Sequence, residues 1–103
     1  MSQWVDVAAV GEIEEGGLIL VEVGGEEVAV FRIAGDYYAL ADICTHDGGT
    51  LADGTVEGCE IECPRHGARF DIRTGKVTAP PAYEDVRTFP VRIVDGRVQV
   101  REF

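Results

Sequence analysis

Several kinds of residue and pattern are scarce in this 103-residue chain, and each scarcity excludes a class of protein. There are three cysteines, Cys44, Cys59 and Cys63, and two histidines, His46 and His66. Three cysteines build no disulfide framework, so a reducing cytoplasmic compartment is the default expectation. No run of eighteen apolar residues occurs, so no membrane partner is expected. Met1-Ser2-Gln3-Trp4 has neither a basic region nor an apolar core, and a secretory leader is not expected. Basic charge is also short: nine Lys and Arg stand against nineteen Asp and Glu, a formal charge of −10. Before position 63 the only base is Arg32. This balance repels phosphate and argues against nucleic acid. It reads either as a solvated acidic surface or as a field that steers the chain toward basic faces of partner proteins. No nucleotide fingerprint and no nucleophile-plus-base pair is visible, and both histidines belong to short loops, so no catalytic site is expected.

Those loops hold most of the chemistry. The first is Cys44-Thr45-His46-Asp47-Gly48-Gly49, the second Cys63-Pro64-Arg65-His66-Gly67, with 16 residues between His46 and Cys63. Thiolate and imidazole are the main ligands a protein offers to transition metals. Cys-x-His in an extended segment sends both side chains to one face, while Cys-x-x-His around Pro64 suits a tight turn. The glycines after each box allow backbone to approach a bound group closely. Three readings stay open on these residues alone: coincidence, a Cys2His2 zinc site, or a two-iron cluster with cysteines on one iron and histidines on the other. Zinc sites usually draw their ligands as C-x(2–4)-C and H-x(3–5)-H pairs, and here each loop is mixed. The third reading matches Rieske ligation.

CTHDGG followed by CPRHGARFD resembles the two cluster-binding boxes of Rieske proteins, in particular the small Rieske-type ferredoxins of aromatic-ring-hydroxylating and other non-haem iron oxygenase systems. The resemblance implies one [2Fe-2S] cluster per chain, with Cys44 and Cys63 on one iron and His46 and His66 on the other. It implies a non-enzymatic one-electron carrier between a flavoprotein ferredoxin reductase, dependent on NADH or NADPH, and a terminal oxygenase. Transient partners and a monomer are expected. A Rieske-like small subunit of another reductase, such as nitrite reductase, is the alternative within electron transfer; a zinc-binding interaction module is the alternative from another class.

Strand signals dominate the rest. Trp4–Ala8, Gly17–Val23, Glu26–Ile33 and Tyr37–Ala41 read as strands, with turns at Gly24-Gly25 and Ala34-Gly35-Asp36. Short strands are expected at Thr55–Glu57, Glu60–Glu62 and Arg69–Ile72, then a loop at Ala79-Pro80-Pro81-Ala82 that, by the resemblance, shields the cluster. Thr88–Val94 reads as one alternating strand, Asp95-Gly96 as a type I′ turn, and Arg97–Arg101 as the last strand. No stretch shows helical periodicity. The expected architecture is all-β, a Rieske fold: a single domain with an antiparallel sandwich or barrel base (residues 1–42 and 78–103) and an inserted cluster-binding subdomain (43–77).

Departures from other Rieske branches also carry meaning. High-potential members place an extra cysteine in each box, where this chain has Gly49 and Arg65, so no disulfide staple is expected. Their serine and tyrosine hydroxyls correspond to Ala68 and Phe70. Fewer donors to sulfur imply a potential near the bottom of the Rieske range, which starts at roughly −150 mV. Cys59 reads as a half-buried spectator, and Asp47 as a surface acid or a charge near the histidine edge.

Overall fold

Strands of alternating side-chain direction, cut at short intervals by glycine turns, leave little room for a helix. The computed structural model describes residues 3–45 and 47–102, and among them are eleven strands and no helix. In chain order they are β1 (Val5–Ala9), β2 (Leu18–Val23), β3 (Glu26–Ile33), β4 (Asp36–Ala41), β5 (Thr55–Glu57), β6 (Glu60–Glu62), β7 (Arg69–Asp71), β8 (Val77–Ala79), β9 (Thr88–Phe89), β10 (Val91–Val94) and β11 (Arg97–Val100). All pairings are antiparallel. They form three sheets, ordered β1-β11-β10, β2-β3-β4-β9 and β5-β6-β7-β8.

Turn chemistry sets the register. Gly24 and Gly25 have φ of 60° and 80°, and Asp95 and Gly96 of 50° and 75°, the paired left-handed residues of a type I′ hairpin. Ala34 and Gly35 do the same at 52° and 82°. An alanine at positive φ is strained. Here the Glu15 carboxylate accepts the N–H groups of both Ala34 (2.5 Å) and Gly35 (2.9 Å) and holds the turn. Two residues therefore suffice, and Asp36, expected in the turn, pairs with Ile33 in the sheet.

The segment at Thr88–Val94 departs from the single strand expected. Proline has no N–H to give a ladder, and the strand breaks at Pro90. Thr88 and Phe89 pair with β4, whereas Val91–Val94 pair with β11. The chain changes sheets at the proline and so ties two sheets together. Ala79 likewise ends an edge strand before the two prolines instead of lying in the loop.

Val28, Ala29, Val30 and Phe31 are buried in succession, so β3 is covered on both faces. One core cluster runs from Val98 and Val100 through Phe31 and Leu40 to Ile61, Phe70 and Ile72 of the third sheet. The first box follows β4 and precedes β5. The second is the connection from β6 to β7. Both boxes are thus rooted in strands of this core. None of the helices needed to cross a membrane is present among the described residues, which says nothing of strands.

Candidate metal centre

The two boxes close by the same backbone bonds. The Cys44 N–H donates to the Gly49 carbonyl (2.7 Å), and the Gly48 N–H donates to the Cys44 carbonyl (2.8 Å). In the second box the Cys63 N–H donates to the Ala68 carbonyl (2.7 Å), and the Gly67 N–H to the Cys63 carbonyl (3.1 Å). The glycine four residues after each cysteine has φ of 75° (Gly48) or 77° (Gly67), a conformation that L side chains rarely adopt. The described ends of the first box therefore close by the same pair of bonds as the second. The closing bonds run between residues that spacing alone does not pair.

The turns bring Cys44 and Cys63 together, both buried. Their sulfurs and a carboxylate oxygen of Asp47 all lie within 4.8 Å of one another. His66 stands beside this group rather than in it: its side chain is 56 % exposed, and Nδ1 is 3.8 Å from Asp47 Oδ2. His46 lies outside the described residues. Cys59 sits half-buried in the β5–β6 turn, where its carbonyl accepts the Ile72 N–H (2.7 Å), and it is not part of the group.

Asp47, read from sequence as a surface acid or a charge at the histidine edge, is an exposed residue whose carboxylate lies beside both cysteine sulfurs and His66. Its carboxylate accepts from Arg65 Nε (2.5 Å, to Oδ2), from Arg65 Nη2 (3.2 Å, to Oδ1) and from the Gly49 N–H (2.9 Å). With its oxygens so engaged, Asp47 is an ion-pair partner more than a metal ligand. Arg65 also donates from Nη2 to the Thr50 carbonyl (2.9 Å) and to Cys63 Sγ (3.3 Å). The hydrogen bond to Asp47, followed by the negative field of Cys63, raises the Arg65 pKa above its already high ordinary value, so it is a permanent cation.

Two further residues hold the first box in place. Asp42, buried at the end of β4, accepts the N–H groups of Leu51 and Ala52 through Oδ1, both at 2.8 Å. This pins the far end of the loop to the strand that delivers Cys44. Thr45 Oγ1 donates to the Glu84 carbonyl (2.6 Å), which ties the segment after the two prolines to the first box. Sequence reading missed Asp42, Thr45 and the role of Arg65. An acid closing the apolar run Tyr37–Ala41 was the one available signal for Asp42.

The residues present suit a two-iron, two-sulfide cluster on the cysteine side. Two buried cysteine sulfurs converge, a guanidinium N–H reaches one of them, and the backbone of each loop is left bare by glycine.

Comparison with known proteins agrees. The Rieske [2Fe-2S] domain family matches residues 3–90. The ferredoxin component of the naphthalene 1,2-dioxygenase/salicylate 5-hydroxylase systems of Ralstonia sp. is 42 % identical over 98 residues, covering 95 % of this chain and 94 % of that protein. The ferredoxin of carbazole 1,9a-dioxygenase from Nocardioides aromaticivorans IC177 superposes with a TM-score of 0.88 at 36 % identity, over 94 % of this chain and 95 % of that one. A chain from the complex of reduced oxygenase and oxidized ferredoxin in carbazole 1,9a-dioxygenase gives 0.89 at 36 % identity, over 94 % and 91 %. A putative NADH-dependent nitrite reductase small subunit from Mycobacterium tuberculosis gives 0.86 at 22 % identity, over 100 % and 97 %, a likeness of fold alone.

Proposed function

Because this chain belongs to the Rieske [2Fe-2S] domain family, we propose that it carries single electrons from an NAD(P)H-dependent flavoprotein reductase to a terminal oxygenase. Its relatives are named as ferredoxin components of dioxygenase systems, and a solved complex pairs such a ferredoxin with its oxygenase. Cys44 and Cys63 hold one iron, His46 and His66 the other, with one cluster per chain. When bound, that cluster supplies a one-electron couple toward the low end of the Rieske range. The observation that carries the reading is the convergence of two buried cysteine sulfurs from two turns of the same backbone design.

What the chain's residues do follows from their exposure. The cysteines are sealed in the core, while His66 reaches the surface. A partner therefore approaches on the histidine side. Apolar side chains stand exposed on the segments flanking that side: Ile43 beside Cys44, and Tyr83 beside the Glu84 carbonyl that Thr45 holds. They suit a brief, small contact, with the −10 charge giving long-range steering to basic faces. Residues 43–77, with the rest of β8 to Ala79, act as the cluster-binding unit on a base of 1–42 and the residues after β8, and the protein works as a cytoplasmic monomer.

The test is an iron and acid-labile sulfide assay on anaerobically prepared protein, with an EPR spectrum after dithionite reduction. Two irons and two sulfides per chain and a Rieske-type signal are expected. Colourless protein holding zinc would overturn the reading in favour of a metal-stabilised interaction module.

A further inference from the structure

Resting on that reading, we propose that Arg65 is a positioning residue with two tasks: it clasps the two cysteine turns together, and it fixes a positive charge beside the Cys63 sulfur that eases reduction of the centre.

The contacts of Arg65 divide between the turns. Asp47 and the Thr50 carbonyl belong to the first box and the segment leaving it. Cys63 Sγ belongs to the second, as does Arg65 itself. The guanidinium lies flat against Gly49: a Cβ added there would sit 2.5 Å from Arg65 Cζ and 2.6 Å from Nη2. Gly49 does not have a left-handed φ, so its backbone does not demand glycine. The space that its missing side chain leaves is the space the guanidinium fills. Through Nε and Nη2 the planar guanidinium grips the carboxylate at two points while also serving a carbonyl and a sulfur, a two-nitrogen grip that the single nitrogen of an ammonium does not offer. The Arg65–Asp47 pair lies at the surface, its side chains 34 % and 21 % exposed, so salt screens it in part.

The two charges of the clasp act on an incoming electron with opposite sign. Reduction adds one negative charge. The Arg65 cation, in contact with a ligand sulfur, stabilises it, and the Asp47 carboxylate opposes it. As parts of one mechanical link, however, the two residues act alike, since loss of either loosens the turns, even though the bond from Arg65 to the Thr50 carbonyl survives loss of Asp47. That difference separates an electrostatic role from a merely structural one.

The experiment compares the iron-loaded protein with Arg65→Met, Asp47→Asn, the double variant and Gly49→Ala. Two quantities are read: the midpoint potential by film voltammetry, and the rate at which a ferrous chelator bleaches the colour. Arg65→Met should shift the potential negative and Asp47→Asn positive, while both bleach several-fold faster. The double variant should return toward the unsubstituted potential and still bleach fast. Gly49→Ala, which keeps both charges but displaces the guanidinium, should shift negative by less than Arg65→Met. Potentials that move in one direction for both single variants, or do not move, overturn the electrostatic role; unchanged bleaching overturns the clasp. If Arg65→Met does not fold, Asp47→Asn and Gly49→Ala still carry opposite expected signs. Absence of iron from the unsubstituted protein would instead defeat the carrier reading itself.

Discussion

Replacing Asp42 tests whether the first cysteine turn is held from outside as well as from within. Its Oδ1 accepts two backbone N–H groups, from Leu51, which is fully buried, and from Ala52. Hydrogen bonds to a charged group contribute about 1.5–3 kcal/mol each. Against them stands the cost of burying a carboxylate whose other oxygen, Oδ2, has no hydrogen-bond partner among the described residues. Asp42→Ala strands both donors while removing that burial cost, and the net loss comes to about 2–4 kcal/mol. For a domain near this size that is a fall in Tm of roughly 10–25 °C. Asp42→Asn keeps an oxygen able to accept both bonds and should lose about 1 kcal/mol. The assay is guanidinium unfolding followed by far-UV circular dichroism, with loss of visible colour recorded alongside. Colour should fade before the bulk strands unfold in Asp42→Ala, because Cys44 is only two residues away. An Asp42→Ala protein within about 0.5 kcal/mol of the unsubstituted chain would refute the reasoning, since that is the scatter of inert surface changes. Equal damage from Ala and Asn would show that charge matters there and hydrogen-bond acceptance does not.

Other perturbations have equally definite outcomes. A Cβ at Gly54 would lie 2.0 Å from the Glu62 carbonyl oxygen, a backbone atom just before Cys63; Gly54→Ala should cost about 3 kcal/mol or more and bleach the protein, read by thermal melts and absorbance. Gly58→Ala is the control: its Cβ meets nothing within 4 Å but its φ is +61°, so about 1–2 kcal/mol is expected. The Arg73 side chain, by its hydrogen bond, holds the Asp71 carboxyl below the usual carboxylate range. The folded form thus prefers ionised Asp71, and the stability this gives is present above about pH 4 and lost as pH falls through the lowered folded value. Melts of Asp71→Asn from about pH 5 to pH 2.5 should show a shallower acid decline than the parent. Ala68→Ser and Phe70→Tyr, each adding a hydroxyl at a buried position after the second box, should raise the midpoint potential in a potentiometric titration, and no rise would count against the account of sulfur donors.

Local chemistry made much of the fold readable. Glu26–Ile33, Thr55–Glu57 and Glu60–Glu62 stand where the sequence put them, because β-branched runs bounded by glycine or acidic turns leave few other options. Pro90 was visible too, but its consequence was not. A missing N–H forbids a ladder bond without saying that the chain will move from one sheet to another. Asp36 went astray for a smaller reason: Glu15, more than twenty positions earlier, supports a two-residue turn that alanine by itself would strain.

The site divides in the same way. Ligand type and spacing are properties of the chain, so Cys44, His46, Cys63 and His66 could be put forward as candidate ligands before any fold, and the family was legible with them. Sequence spacing could not show that the two boxes close by the same backbone bonds, that an Asp47 oxygen lies within 4.8 Å of both sulfurs, or that Arg65 reaches across to the other turn. Those relations join residues far apart in the chain, at distances set by sheet pairing and core packing. A thiol and an imidazole declare what they can bind; which charges surround them, and from which side they are reached, arises only when distant strands are laid together.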